Sequence, residues 1–281
     1  MTTPRVFLSM ALLASSPFAQ ATRADELRIG IVQAQAGEAR KYQPLLEYLS
    51  RRGITASFVA APDYRAAAEL FASGKLDAMF SGSGIAGAMM IKGLADPLVR
   101  PVGEDGISTY SAVIVAPAGA SRFDGSSQYF DGKRVIFAAL ASAGEFYFHA
   151  LGDSRPAALL KDASHGAALD AVSRGQADVA IVKNHVWTHE KPHYPSLAAV
   201  GADSGENPDN TLIVSMKLDA PTRQRLSAVL LGLEADASPE ALATRGRLKI
   251  KRFIPTTAKD FSHTLDLLKR AGVTRGFGFA Y

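Results

Sequence analysis

The chain has 281 residues, enough for one large domain or two small ones, and its 47% hydrophobic content excludes a disordered chain. Its formal charge of +4 is scattered, without a run of five like charges, which sets aside nucleic acid as a partner. The absence of cysteine excludes disulfides, thiolate metal sites, a cysteine nucleophile and a lipid anchor on cysteine.

The first element is a targeting segment. Arg5 is followed by the short apolar run VFLSMALLA (6–14), then Pro17, then the small-x-small triplet Ala19-Gln20-Ala21. This order predicts a cleavable signal peptide over 1–24; a buried N-terminal helix is the alternative. The run is too short to span a bilayer, so the mature chain is expected free in the periplasm.

LRIGIV (27–32) reads as a buried strand. In ARKYQPLLEYLSRRG (39–53), Tyr42, Leu45, Leu46 and Leu49 share a helical face, with Pro44 suited to the first turn. ITASFVAA (54–61) is a second strand, Asp63 caps the next helix, and AMFSG (78–82) is a third strand. This alternation predicts parallel βαβ units. LVRPVG and YSAVIVAP add strands by 117. A turn-rich stretch (117–134) then opens a second α/β block, with a strand at KRVIFA, a strand-to-helix junction at ASAGEFYFHALG (141–152), a helix over 165–174, a strand over 178–182, a helix near 184–190, and strands near 197–201 and 210–214. The tail reads as capped amphipathic helices without a strand of its own. The expected organisation is lobe 1 over 25–116, lobe 2 over 117–214, and C-terminal helices over 215–281 returning to lobe 1.

One phrase occurs twice. AAAELFASGKLDAMFSG (66–82) overlays AALDAVSRGQADVAIVK (167–183) at an offset of 101, placing Gly74 on Gly175 and Asp77 on Asp178. Both are a small-residue helix, a glycine turn, an aspartate and an apolar strand. The two aspartates read as structural, and the repeat as two lobes of similar construction. Ligands of open α/β sheets bind at the C-terminal ends of the strands.

Together with the signal segment and two lobes, the phrases KYQPLLEYLSRRGI, APDYRAAAELFASGKLDAMFSGSG, TYSAVIVAP, FDGKRVIFA and DASHGAALDAVSRGQADVAIV make the chain resemble the periplasmic phosphate/phosphite/phosphonate-binding proteins of ABC importers, over roughly residues 27 to 271. The resemblance implies a type II periplasmic binding fold. Each lobe would be a mixed, mostly parallel sheet flanked by helices, with a hinge between. It implies a small oxyanion gripped in the cleft by both lobes, an inner-membrane permease as partner, and no catalysis or cofactor.

Carried over position by position, the implied ligand residues are Tyr64, Ser81, Ser83, Tyr110, Ser142, Ala143, Gly144 and His165, with His165 supplying charge. The family's Ser-Thr-Ser-Gly is here Ala141-Ser142-Ala143-Gly144, two hydroxyls fewer, although a helix N-terminus still offers N–H groups to an anion. Aminophosphonate binders place an acid where this chain has Lys183-Asn184, so an amine-bearing ligand is disfavoured and Lys183 joins the candidates; an inward-pointing Glu145 would argue the other way. Serines also cap helices, and tyrosines also line core edges, so each residue has a structural reading beside the functional one.

His185, His189 and His193 have helical spacing for a metal, but Pro192 interrupts the helix and no carboxylate completes a pattern, so no metal is expected. No G-x-S-x-G, H-E-x-x-H or P-loop is present, which disfavours an enzyme. The remaining alternative is a sensing subunit of the same fold that partners a histidine kinase ectodomain and takes a carboxylate. The chain is expected to be a monomer.

Overall fold

The computed structural model describes residues 26–32, 38–138, 143–162 and 164–280. The expected signal peptide and Ser142 lie outside the described residues.

The chain begins with the parallel alternation read from sequence: β1 (Leu27–Val32), α1 (Gln43–Arg51), β2 (Ala56–Ala61), α2 (Tyr64–Ala72) and β3 (Ala78–Ser81). A 3₁₀ turn over Glu38–Tyr42 leads into α1, and Pro44 sits in its first turn, where a missing N–H costs nothing. Next come α3 (Ser83–Ile91), β4 (Ala95–Gly103), β5 (Thr109–Tyr110), β6 (Ala112–Pro117), β7 (Arg134–Ala138), α4 (Ala143–Ala150) and β8 (Ala158–Asp162). Then follow α5 (His165–Ser173), β9 (Val179–Lys183), α6 (Asn184–Glu190), β10 (Leu197–Ala202), β11 (Asn207–Pro208) and β12 (Thr211–Ser215). The tail is α7 (Ala220–Leu231), α8 (Pro239–Leu248), β13 (Ile250–Pro255) and α9 (Ser262–Arg270).

Among the described residues these strands form a six-stranded sheet in the order β13-β4-β12-β3-β1-β2 and a five-stranded sheet in the order β10-β6-β9-β7-β8. A two-stranded ribbon, β5 with β11, lies between them in the chain, with Tyr110 opposite Asn207. The two lobes are therefore present, but their borders differ from expectation. β6 belongs to the second sheet although the first lobe was drawn to 116. β12 lies inside the first sheet, between β4 and β3, although the second lobe was drawn to 214. The chain passes between sheets on either side of the ribbon, at 104–111 and 203–210, not in the turn-rich stretch. The tail also holds a strand, β13, which pairs antiparallel with β4.

Both copies of the repeated phrase do the same mechanical work. Asp63 caps α2 by accepting from the Ala66 N–H at 2.7 Å, and Ser164, 101 residues later, caps α5 by accepting from the Ala167 N–H at 3.1 Å. Gly74 and Gly175 end those helices at φ +73° and +69°, a left-handed conformation glycine adopts without penalty. Asp77 then accepts from the Arg28 backbone N–H (2.9 Å) and from its guanidinium (2.9 and 2.8 Å). Asp178 does the same with Arg134 at 2.8, 3.0 and 2.6 Å. Each aspartate thereby clips the start of one strand to the start of its parallel neighbour.

The outer face of the first sheet packs on α1, α7 and α8 through Leu45, Tyr48, Leu49, Leu226 and Leu230. Its inner face shares one buried cluster with the second sheet, built on α2, α3, α4 and α9. Helix α9 touches both α3 and α4, so the tail spans the two lobes instead of returning to the first alone. The second sheet's other face is closed by α5, with Trp187 from α6.

Candidate ligand site

In both sheets the parallel strands deliver helices at their C-terminal ends, so the N-termini of α2, α3, α4 and α5 all belong to that side of the fold. Tyr64 opens α2 and packs, half-buried, on the shared core. His165 occupies the same position in α5, one residue after its cap. Ser83 opens α3 behind Gly82 and is buried.

Tyr110 joins these elements. Its hydroxyl hydrogen-bonds Ser83 Oγ, and its carbonyl accepts from Asn207 Nδ2 at 3.4 Å. Asn207 in turn accepts from Thr264 Oγ1 on α9 at 2.7 Å. Lys183, the last residue of β9, places Nζ 4.5 Å from the centre of the Tyr110 ring. The same Nζ donates to Asp209 Oδ1 at 2.5 Å. His185 meets the Tyr110 ring edge-on, with Nε2 3.6 Å from Asp209 Oδ2. Serine 83, the ribbon tyrosine, the lysine of the second sheet and the ribbon's aspartate thus form one continuous polar cluster between the sheets.

The electrostatics follow from burial. Desolvation pulls the Lys183 ammonium down, but Asp209 and Tyr110 outweigh it and hold it above its ordinary value. Desolvation pushes the Asp209 carboxyl up, and Lys183 more than reverses this, leaving it below the usual carboxylate range. The pair is therefore ionised and internally neutral. His165 is pushed down to about 3, first by burial and then by Lys183. Its expected role as a source of charge is corrected: the ring is neutral at physiological pH and offers one N–H and one lone pair. Both of its nitrogens are shut away from solvent and have no hydrogen-bond partner among the described residues. The same is true of Ser81 Oγ and of Thr211 Oγ1, which faces Ser81 across β3 and β12.

Of the sequence candidates, Ser83, Tyr110, His165 and Lys183 are brought together. Ser81 and Tyr64 stand at adjoining strand and helix ends, and Gly144 is buried in the first turn of α4. Glu145, left open from sequence, is buried with its carboxylate 2.7 Å from Lys161 Nζ on β8. Sequence reasoning missed Asp209. It lies 26 residues after Lys183 in the turn Pro208-Asp209-Asn210, where an aspartate reads as turn chemistry. The three spaced histidines do not act together: His185 turns inward, while His189 and His193 each meet Glu190 at 3.0 and 3.3 Å. Among the described residues no group of three His, Asp or Glu is placed to hold a metal, and no helix is long and apolar enough to cross a membrane. A cavity of about 850 Å³ opens elsewhere, at the Arg28–Asp77 clip, beside the start of the described chain and away from this cluster.

Two lobes of parallel α/β construction, a ribbon between them and polar groups at the strand ends define a type II periplasmic binding protein. The description "ABC transporter, phosphonate, periplasmic substrate-binding protein" matches residues 29–261, and the chain belongs to that family. A comparison with curated proteins returned no match. Among solved structures, the PhnD1 protein of Prochlorococcus marinus in complex with methylphosphonate is 16% identical, with a TM-score of 0.69 over 88% of this chain and 98% of its own. A binding-protein component of an ABC phosphonate transporter from Pseudomonas aeruginosa is 15% identical (TM-score 0.67, 88% and 87% covered). A Xanthomonas citri protein solved with ATP is 19% identical (0.70, 88% and 96%).

Proposed function

We propose that this chain is exported to the periplasm as an unanchored monomer and captures a small phosphorus oxyanion, of phosphonate, phosphite or phosphate type, for an ABC permease in the inner membrane. The observation that carries the reading is His165, at a helix start beside Lys183, whose two ring nitrogens are shut from solvent and have no partner among the described residues. An unmet buried donor costs about 1–3 kcal/mol, a deficit that a ligand oxygen relieves. Ser81, Ser83, Tyr64, Tyr110 and the backbone N–H groups of Ala143 and Gly144 opening α4 supply further donors, and the sequence adds Ser142 to them. Binding is the whole chemistry: contacts made to both lobes at once favour the closed form, and the closed form is what the permease reads.

The test is a thermal-shift panel on protein stripped of ligand by unfolding and refolding. It includes methylphosphonate, phosphite, phosphate, sulfate and small carboxylates. A ligand at a hundred times its Kd adds about 2.7 kcal/mol, a shift of several degrees for a chain of this size. A phosphorus oxyanion alone is expected to produce it. A response confined to carboxylates would overturn the ligand class while leaving the family untouched.

A further inference from the structure

We propose that Lys183 fills, from within the chain, an ammonium pocket made by the Asp209 carboxylate and the face of Tyr110, so that the site selects oxyanions carrying no amino group. The proposal rests on the oxyanion reading above and adds its specificity.

A carboxylate at 2.5 Å and an aromatic face at 4.5 Å surround Lys183 Nζ, and the two charged side chains are only 14% and 21% exposed. These two elements are the ones proteins use to hold the ammonium of a ligand. Here a tethered lysine takes that place, losing side-chain rotamers but none of the translational freedom a free amine gives up. Glu145, a buried acid in the first turn of α4, is likewise paired with Lys161. An amine-bearing ligand would have to push Lys183 aside and leave its charge in a desolvated setting, which is costly. An ammonium has three donors; one goes to Asp209, and the others remain for an oxyanion oxygen beside His165. Asp209 then acts as a positioning residue, fixing where those donors point.

Two variants test the pocket: Lys183→Ala, and the same change combined with Asp209→Asn. Thermal unfolding is followed in methylammonium chloride and in sodium chloride of equal ionic strength. Methylammonium is expected to raise the Tm of Lys183→Ala beyond the sodium control, and to do so neither for the wild type nor for the double variant. Equal responses to the two salts overturn the pocket. Calorimetric titration then compares methylphosphonate with 2-aminoethylphosphonate. The wild type should favour methylphosphonate, and Lys183→Ala should move the ratio toward the amine by on the order of tenfold or more. A wild type preferring 2-aminoethylphosphonate overturns the proposal while keeping the oxyanion reading, and this arm needs no variant to fold. A wild type binding neither compound, nor phosphite nor phosphate, with methylammonium rescue intact, refutes the oxyanion reading and leaves the pocket standing.

Discussion

A histidine whose ring nitrogens are shut from solvent without a partner among the described residues is maintained at a cost, and His165 shows where that cost is visible. Unfolded, its ring takes up a proton near pH 6.5; folded, only near 3. Between those values the unfolded state binds more protons, so stability rises with pH at up to about 1.4 kcal/mol per unit. Unfolding in urea at pH 7 and pH 5 should cost the wild type about 2 kcal/mol more than His165→Gln over that step; parallel losses would remove the histidine from the account. In ligand titration, His165→Ala should weaken binding by about ten- to a hundredfold, one hydrogen bond to a charged acceptor, with the fold intact. Unchanged affinity would take His165 out of the site. At this scale the sequence was half legible. The SH phrase points to His165 through resemblance, but nothing local says that Lys183 is paired in charge with an aspartate at the ribbon. Asp209 is distant in sequence and sits in a turn where its residue type is ordinary.

At the scale of elements, the twin clips make a symmetric prediction. Asp77→Ala and Asp178→Ala each remove a backbone-anchored arginine pair from the start of two parallel strands. Each should cost about 1–2 kcal/mol in denaturant unfolding and leave ligand affinity alone. A loss of affinity in either would mean that the repeat reaches into the cleft. Helix α3 makes a second case. SGIAGAMMI has no amphipathic period to read, because the helix is buried on nearly every side. Gly87 lets it approach α9: a Cβ there would lie 2.4 Å from Leu268 Cδ1 and 3.1 Å from Thr264 Cγ2. Gly87→Val should therefore destabilise by about 1–3 kcal/mol through overpacking, measured by thermal unfolding. A neutral outcome would show that α9 can step back. Helices with caps and apolar stripes were legible; α3, the brief ribbon strands and β13 were not, since their form is set by partners far along the chain.

For the whole molecule, the six-stranded sheet is assembled from two separate stretches of chain, 27–103 and 211–255, while the five-stranded sheet uses 112–202 without interruption. β12 occupies the middle of the larger sheet, so β3 and β4 have unpaired edges until residues 211–215 arrive. A chain emerging N-terminus first can thus finish its second lobe before its first. Loop-closure entropy favours the contiguous sheet in refolding as well. In pulsed hydrogen exchange the amides of β6, β7 and β9 should gain protection ahead of those in β3, β4 and β12, and simultaneous protection would refute that order. The two open strand edges are also the surface on which a half-made chain would aggregate. Strand order thus acts as a timer: the first half of the chain cannot set until the second has been made.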